Sequence, residues 1–557
     1  MDPLPDIRGR LMLAFPGTTP SAEAERRLRS APAAGLTLFR YHNVETPGQV
    51  RELVAAWQRA AAAFAVGSGG GDGPGGDGRG PLLVAADQEG GQLQGLGDGT
   101  TPFPGAMALG ATFEPELAER VGRATGAELL AMGVNVAYAP VCDLASNPAN
   151  LGLGIRSFGD DPAAVAAFVG ATVRGLRAAG VAVAAKHFPG LGEADQDSHH
   201  ALPTLAHDRA RLDRMELVPF RAAIEAGADL VMSAHVSLPA VTGDASLVAT
   251  LSRSVMHDLL RGELGFRGLS ISDALDMAAL PQGDGQVVDV VAAIRAGVDL
   301  LLCAPDPATT ARLEATLIHA TARRLFDEPE LVASARRLAA LRSRLAAASE
   351  PDLAVVGSAA HGALAREVAE RSITLVRDTD GVLPLRLEPG ARILAVMPRP
   401  RELTPADTSA SVAPGLAAAL RARWPTVDEI VTSHPPADDE IAGVVARART
   451  ADAVVIGSIA ATADPAQARL VAAVLAAGRD AAAGARRIPV VTLALRTPWD
   501  LATYPSATAH LVSYGILAPT LDATAAALFG AIPFRGRLPV DVPGIAARGH
   551  GLAGVTP

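Results

Sequence analysis

Cysteine is scarce in this chain of 557 residues, where Cys142 and Cys303 are the only two. Two cysteines in so long a chain do not make a disulfide framework, so we expect a reducing compartment. No apolar run reaches ~18 residues without a charged residue or a helix breaker, so no membrane-spanning helix is predicted. The first residues lack a basic segment followed by an apolar core, so no signal peptide is predicted either. We therefore expect a cytoplasmic protein without a membrane partner.

Basic residues are outnumbered, with 49 lysines and arginines against 59 aspartates and glutamates. The formal net charge of −10 disfavours nucleic acid and anionic membrane surfaces as partners. Hydrophobic residues make up 49% of the chain and charged residues 19%, which is typical of a globular protein. The chain is too long for one ordinary core, so the length predicts two or three domains.

Short apolar runs alternate with helical patterns through the first part of the chain. Eight of these runs, each followed by a plausible helix, are predicted strands: 11–15, 35–39, 81–86, 135–140, 181–185, 230–234, 269–272 and 299–303. Their apolar residues do not alternate with polar ones, which is typical of strands buried on both faces of a parallel sheet. Eight β/α units predict a (β/α)8 TIM barrel, with a doubly wound sheet as the structural alternative.

A second α/β pattern follows the barrel pattern. Pro351 and Asp352 break the helix that closes the first part, so we predict a catalytic barrel domain at 1–345, a linker at 346–360 and an α/β sandwich domain at 361–557. The predicted strands of the second domain are 392–396, 429–432, 453–457, 489–495 and 509–514. The glycine-rich segment 67–80 lacks the ending of a phosphate-binding loop and is interpreted as a surface insertion.

Ionisable side chains cluster where the predicted barrel strands end. Active-site residues of TIM barrels follow the carboxyl ends of the strands. In this sequence those positions carry Asp87, Asp143, Lys186, His187, His235, Asp273 and Cys303. Taken singly, His235 has a second interpretation as a strand cap, and Asp143 has one as a structural hydrogen-bond acceptor. The convergence of so many ionisable groups nevertheless predicts a functional site.

One loop combines a carboxylate with an imidazole. Asp197 and His199 lie two residues apart on a loop bounded by glycine and proline, so their side chains can meet. Such a pairing orients the ring and makes it a suitable acid/base near neutral pH. Asp273 ends an apolar run and is a candidate for the nucleophile that this acid/base serves. Each aspartate has the alternative interpretation of a turn former or helix cap.

Several segments form a recognisable set. In the barrel part they are AADQEGGQLQ (85–94), AYAPVCDL (137–144), IRSFGDDP (155–162), KHFPGLGEADQDSHHALP (186–203), SAHVSLPA (233–240) and ISDALDM (271–277). In the second part they are RSITLVRD (371–378), RTPWDLATYP (496–505) and LFGAIPFRGRLPV (528–540). In order and spacing this set resembles family 3 glycoside hydrolases, most closely their β-N-acetylglucosaminidase branch, over nearly the whole chain.

The resemblance implies a retaining exo-β-N-acetylglucosaminidase. It implies that Asp273 is the catalytic nucleophile, that His199 is the general acid/base, and that Asp197 supports His199. It also implies four residues that bind the sugar: Asp87, Arg156, Lys186 and His187. The implied substrate is a small carbohydrate with a terminal β-linked GlcNAc, from peptidoglycan fragments or chitin. Neither a metal nor another cofactor is implied.

Three alternatives remain open at this stage. A phosphorylase on the same scaffold would resolve the intermediate with phosphate, which a histidine repels less than a glutamate would. A β-glucosidase would act on an unacetylated sugar, but the β-glucosidases of this family usually take their acid/base from a part of the chain other than the loop that carries Asp197 and His199. A non-catalytic sugar-binding protein would not need Asp273, Asp197 and His199 together.

Three positions depart from the family pattern. The family commonly has histidine where Leu191 stands, and arginine where Gln92 and Gly95 stand. The arginine that matches Gly95 normally helps to hold the substrate. The departures therefore concern substrate binding and leave the nucleophile and the acid/base in place.

Overall fold

Residues 5–67, 80–479 and 487–553 are described by the computed structural model. Most of the predicted insertion at 67–80 lies outside these ranges. Eight parallel strands form the first sheet, and each overlaps one of the predicted apolar runs: Leu11–Leu13, Gly35–Thr37, Leu83–Ala86, Val136–Ala137, Ala182–Phe188, Leu230–Ser233, Leu269–Ile271 and Leu301–Leu302. A parallel bridge between Ile271 and Leu300 closes the ring between the seventh and eighth strands. The predicted (β/α)8 barrel is therefore confirmed.

A helix follows each barrel strand before the next strand begins. These helices are Ala22–Ser30, Pro47–Gly67, Pro115–Ala131, Pro162–Ala179, Leu217–Glu225, the π-helix Ser254–Glu263, Asp284–Ala296 and Pro307–Ala322. The fourth shows how the sequence sets helix ends. Asp161 caps the amide of Ala164, Pro162 opens the helix, and Gly180 ends it with a φ of 104°. Shorter helices lie at Arg40–Asn43, Ala106–Thr112, Arg209–Arg214 and Pro239–Thr242.

Alternate strand residues fill the inside of the barrel. Met12, Leu83, Val136 and Leu230 belong to one buried cluster, while their strand neighbours pack outward against the helices. The helix Glu328–Ala346 contributes leucines to the same inner cluster and covers the amino-terminal end of the barrel. The opposite end, where the strands finish, is left for the ionisable residues.

The second sheet has six strands, and we call it and its helices the second domain. In sheet order the strands are Thr374–Asp378, Ala509–Val512, Val490–Ala494, Ala453–Ser458, Ile393–Pro398 and Val427–Thr432. All neighbours are parallel except the first pair, so an antiparallel edge strand that the apolar pattern did not predict completes a doubly wound sheet. Its helices are Ala359–Ser372, Leu416–Arg421, Asp438–Ala448, Pro465–Arg479 and Ala518–Leu528. The domain limits at 345 and 361 stay a prediction.

The two domains share an apolar cluster. Met107, Ala108 and Ile155 of the barrel part pack in the same buried cluster as Leu538 and Val540 of the second part. Burying apolar side chains across the junction fixes the domains against each other. No helix of the described ranges is long and apolar enough to cross a membrane.

Candidate active site

A cavity of about 440 Å³ opens at the carboxyl end of the barrel strands. All seven residues that the family resemblance implies for the site line it: Asp87, Arg156, Lys186, His187, Asp197, His199 and Asp273. They come from four barrel strand ends and from the loops after them. The structure thus brings together residues that lie up to 186 positions apart, between 87 and 273.

The floor of the cavity is a cluster of buried charges. Lys186 lies 2.6 Å from Glu89 and also donates to Asp87. Arg156 grips the same Glu89 carboxylate with two hydrogen bonds of 2.8 Å each. The side chains of Lys186 and Glu89 are only 2% and 6% exposed, so this glutamate is the buried counter-ion of both cations. Asp87 is 31% exposed and turns toward the opening.

Burial alone would favour the neutral forms of Glu89 and Lys186, but the opposite charges beside them have the larger effect on their pKa values. Burial raises the pKa of Glu89, yet Arg156 and Lys186 together lower it to about 2. Burial likewise lowers the pKa of Lys186, and Asp87 and Glu89 more than restore it. Glu89, Arg156 and Lys186 are therefore ionised throughout the physiological range. Glu89 was not predicted as a site residue, although it follows Asp87 by two residues, in the short strand Gln88–Gly90.

His187 is held in one orientation and one tautomer. Its Nδ1 lies 2.7 Å from the buried carboxylate of Asp143, and its Nε2 lies 3.4 Å from the guanidinium of Arg156. A carboxylate accepts and a guanidinium donates, so Nδ1 carries the proton and Nε2 is the acceptor. Asp143 also accepts from the amide of Leu191 at 2.8 Å. These contacts fit the interpretation of Asp143 as a structural hydrogen-bond acceptor. The side chain that Asp143 orients is His187, a predicted site residue.

Asp273 lies two residues after the end of the seventh barrel strand. Its Oδ1 accepts a hydrogen bond of 2.8 Å from the amide of Ala274. Burial raises the pKa of this carboxyl, but His187, His235, His199 and the Ala274 amide lower it below its usual value. Asp273 is therefore an ionised carboxylate in a largely enclosed position.

His235 anchors the loop that carries Asp273. It is fully buried, with Nδ1 2.8 Å from the hydroxyl of Thr250 and Nε2 3.1 Å from the carbonyl oxygen of Ala274. The carbonyl accepts from Nε2, so the Thr250 hydroxyl donates to Nδ1 when the ring is neutral. Burial lowers the pKa of His235, which favours this neutral form. The contacts fit its interpretation as a strand cap.

Asp197 and His199 form the predicted pair. The Asp197 carboxylate lies 2.7 Å from Nδ1 of His199 and 3.0 Å from the backbone nitrogen of His199, so one carboxylate oxygen fixes both ring and main chain. Burial raises the pKa of Asp197, and the hydrogen bond and charge of His199 lower it overall. Within the described ranges, Nε2 of His199 makes no hydrogen bond, and the ring is 28% exposed. His200 beside it is exposed, as a solvated loop residue would be.

The same loop is docked on the segment after Asp273. The amide of Ala279 donates to the carbonyl oxygen of Ser198 at 3.1 Å, and that of Ala278 donates to His199 at 3.4 Å. Ser198 itself is buried. The backbone therefore couples the position of the Asp197–His199 pair to that of Asp273.

The second domain reaches into the cavity through the loop after its strand Ile393–Pro398. Residues 405–408 of this loop line the cavity. The amide of Thr408 donates to the carbonyl oxygen of Gln92 at 2.8 Å, and the side chain of Gln92 donates to Ala406 at 3.3 Å. Asp407 is buried and accepts from Arg496 at 2.6 Å, which fixes the loop on its own domain. Gln92, where the family commonly has arginine, thus serves the domain junction.

Gly95 stands at a position where no side chain fits. Its amide donates to the carbonyl oxygen of Asp87 at 2.8 Å, and a Cβ at this residue would lie 2.3 Å from that oxygen. Arg40 packs beside the same loop and donates to the carbonyl oxygen of Gln94 at 2.9 Å. Leu191, the third departure, lines the cavity with an apolar side chain.

Comparison with known proteins adds three findings. The family model for the glycosyl hydrolase family 3 N-terminal domain matches residues 13–341. The chain is 37% identical over 330 residues to beta-hexosaminidase A of Pseudoalteromonas piscicida, an alignment that covers 55% of each protein. It is 38% identical over 303 residues to a beta-hexosaminidase of Xylella fastidiosa strain M12, covering 53% of this chain and 84% of that one. The chain therefore spans little more than half the length of the first relative.

A solved structure is similar over almost the entire chain. It is a glycoside hydrolase family 3 β-N-acetylglucosaminidase from Paenibacillus sp. strain FPU-7, with 33% identity and a TM-score of 0.87. The match covers 97% of this chain and 99% of that one, so it includes both domains.

Replacing Glu89 by glutamine is expected to destabilise the protein by about 3 kcal/mol, since its pKa falls from 4.5 to about 2 on folding. A carboxylate whose pKa is lowered by folding contributes its full stabilisation of the folded state at pH values above its unfolded pKa. This contribution is lost as the pH falls toward its pKa in the folded state. The difference in thermal unfolding midpoint between wild type and variant should be constant from about pH 5 to 8 and shrink below about pH 4.5.

The matched control is Glu52→Gln, which changes an exposed glutamate on the helix Pro47–Gly67. It should leave the unfolding midpoint unchanged across the same pH range. A Glu89→Gln variant that unfolds like the control at pH 7 would contradict the role of Glu89 as the counter-ion of Lys186 and Arg156.

Proposed function

The chain belongs to glycosyl hydrolase family 3, and on this basis we propose that it is a retaining exo-β-N-acetylglucosaminidase. It removes terminal GlcNAc from β-linked glycosides. One observation carries the proposal: an ionised carboxylate, Asp273, and a carboxylate-held imidazole with a free Nε2, His199, line the same cavity. The names of the relatives and of the Paenibacillus structure support the sugar.

In the first step the Asp273 carboxylate attacks the anomeric carbon, and the bond to the leaving oxygen breaks. His199, protonated at Nε2, gives that proton to the leaving oxygen. Asp197 stabilises the imidazolium form of His199 until the proton is transferred. In the second step neutral His199 takes a proton from water. The resulting hydroxide displaces Asp273, so the configuration at the anomeric carbon is retained.

The charged floor holds the sugar that is cleaved. Lys186, Arg156 and Asp87 offer charged hydrogen-bonding groups to the ring hydroxyls, and the ring of His187 lines the cavity beside Arg156. Glu89 and Asp143 keep these groups in place before the substrate arrives, so little of the binding energy is spent on ordering them. Lys186, Arg156 and Glu89 are at most 6% exposed, so this end of the cavity is buried, which suits removal of one terminal sugar.

The natural source of the substrate is a further part of the proposal. We infer that peptidoglycan fragments supply the terminal GlcNAc and that the protein acts in the cytoplasm. The scarcity of cysteine supports this compartment, since Cys142 and Cys303 are both unpaired and buried.

A panel of nitrophenyl glycosides tests the activity and separates it from its rivals. GlcNAc and glucose glycosides are assayed with and without inorganic phosphate, and the released sugar is identified by mass spectrometry. We expect turnover of the GlcNAc glycoside to free GlcNAc in both buffers. GlcNAc 1-phosphate as the product in phosphate buffer would identify a phosphorylase, and preference for the glucose glycoside would identify a β-glucosidase.

Asp273→Ala should lower kcat at least about a thousandfold, because the covalent step loses its nucleophile. The circular dichroism spectrum and unfolding midpoint should stay close to those of the wild type. Asp284→Ala, at the exposed start of the following helix, is the control and should keep wild-type kcat. If the folded Asp273→Ala variant retained a tenth of the activity or more, another group would be the nucleophile.

His199→Ala should damage turnover selectively. A sugar leaving group needs a proton and a dinitrophenolate hardly does, so the variant should lose far more rate on a GlcNAc disaccharide than on dinitrophenyl-GlcNAc. With dinitrophenyl-GlcNAc, deglycosylation still lacks its base, so a burst of dinitrophenolate should precede slow turnover. Azide needs no base and should restore turnover, yielding a β-glycosyl azide.

The control for this variant is His200→Ala, which removes the exposed neighbouring imidazole and should keep wild-type rates on both substrates. Equal losses on both substrates, with no azide product, would show that another group is the acid/base.

A further inference from the structure

Tyr41 is unusual among the aromatic residues. The chain has thirteen phenylalanines, three tryptophans and four tyrosines, all of them within the described ranges. Tyr41 alone is exposed, at 63%. It also lines the cavity that contains Asp273 and His199. Covering an exposed aromatic ring in a binding cavity with an apolar surface is favourable, because it removes the ring from water.

The backbone beneath Tyr41 is firmly held. Tyr41 lies on the short helix Arg40–Asn43, which begins three residues after the end of the second barrel strand at Thr37. The buried Asn43 accepts from the amide of Phe39 at 3.0 Å and donates to the carbonyl oxygen of Phe15 at 2.7 Å. The exposed ring is thus presented from a fixed support.

The ring is also tied to the second domain. The phenol of Tyr41 donates a hydrogen bond to Glu402, which precedes the loop segment 405–408 that lines the cavity. Partial burial first, and then this carboxylate, raise the pKa of Tyr41 to about 12, so the phenol keeps its proton. The bond fixes the ring across the junction, and the residue is still 63% exposed.

We propose that Tyr41 is the specificity-determining residue for the leaving group: its ring is the platform on which the second sugar of the substrate stacks. This inference rests on the proposed function. The buried charges of Lys186, Arg156 and Glu89 occupy the closed end of the cavity, so the cleaved sugar lies there and the leaving group points to the opening. A pyranose ring carries a face of C–H bonds, and an aromatic face with a hydrogen-bonded edge covers such a surface well.

The test compares two substrates that differ only in the leaving group, methyl β-GlcNAc and the β-1,4-linked GlcNAc disaccharide. A methyl group is too small to cover the ring of Tyr41. We expect Tyr41→Ala to lower kcat/KM about five- to tenfold for the disaccharide relative to the methyl glycoside. Tyr41→Phe keeps the platform and loses only the bond to Glu402, so its ratio should stay within about twofold of wild type.

Two outcomes would overturn the proposal. Equal losses on both substrates would make Tyr41 a general structural contact, and equal losses in Tyr41→Phe and Tyr41→Ala would assign the effect to the bond with Glu402. Unfolding midpoints of both variants exclude loss of fold as the cause.

A wild-type protein inactive on both glycosides would contradict the proposed hydrolysis instead. The platform is then tested by calorimetric binding. Tyr41→Ala should weaken binding of the disaccharide about five- to tenfold and leave binding of GlcNAc alone unchanged. Unchanged disaccharide binding would overturn the platform.

Discussion

The carboxylate of Glu89 is the interaction on which the site depends. Two cations, Lys186 and Arg156, are buried at the end of the barrel, and an unpaired buried charge costs several kcal/mol. Glu89 accepts from both, so the positive groups can be kept away from water without losing their charge. Arg156 in turn faces Nε2 of His187, whose other nitrogen is held by Asp143. One glutamate therefore fixes a chain of groups that reaches from the floor toward Asp273.

The second domain completes the cavity from the other side. Both sheets direct the carboxyl ends of their parallel strands toward the same region, where loops rather than regular elements emerge. The loop after the strand Ile393–Pro398 is held on its own domain by Asp407 and Arg496, and it meets the barrel at Gln92. The buried apolar cluster shared by the domains makes this arrangement rigid. A barrel alone would lack the wall that residues 405–408 provide.

Much of this could be predicted from the sequence, for identifiable reasons. Strands buried on both faces appear as unbroken apolar runs, so the eight barrel strands and the polar residues that follow them were found. Thr374–Asp378 was missed because its apolar run, Leu375 and Val376, is only two residues long and is followed by the charged Arg377 and Asp378. Glu89 and Tyr41 were missed for another reason. Their importance comes from partners 97 and 361 positions away, Lys186 and Glu402, and no local pattern encodes such pairings.

Hydrogen bonding also distinguishes the three histidines that surround Asp273, His187, His199 and His235. His187 engages both ring nitrogens, with Asp143 and Arg156, and His235 engages both, with Thr250 and Ala274. A ring whose nitrogens are both committed cannot deliver a proton to a substrate without breaking a buried contact. Among the residues that the structure describes, His199 commits only Nδ1, to Asp197, and its Nε2 has no hydrogen-bond partner. This asymmetry supports His199 as the proton carrier independently of the family resemblance. It also fits the position of the Asp197 carboxylate at Nδ1, where it does not occupy the nitrogen that would carry the transferred proton.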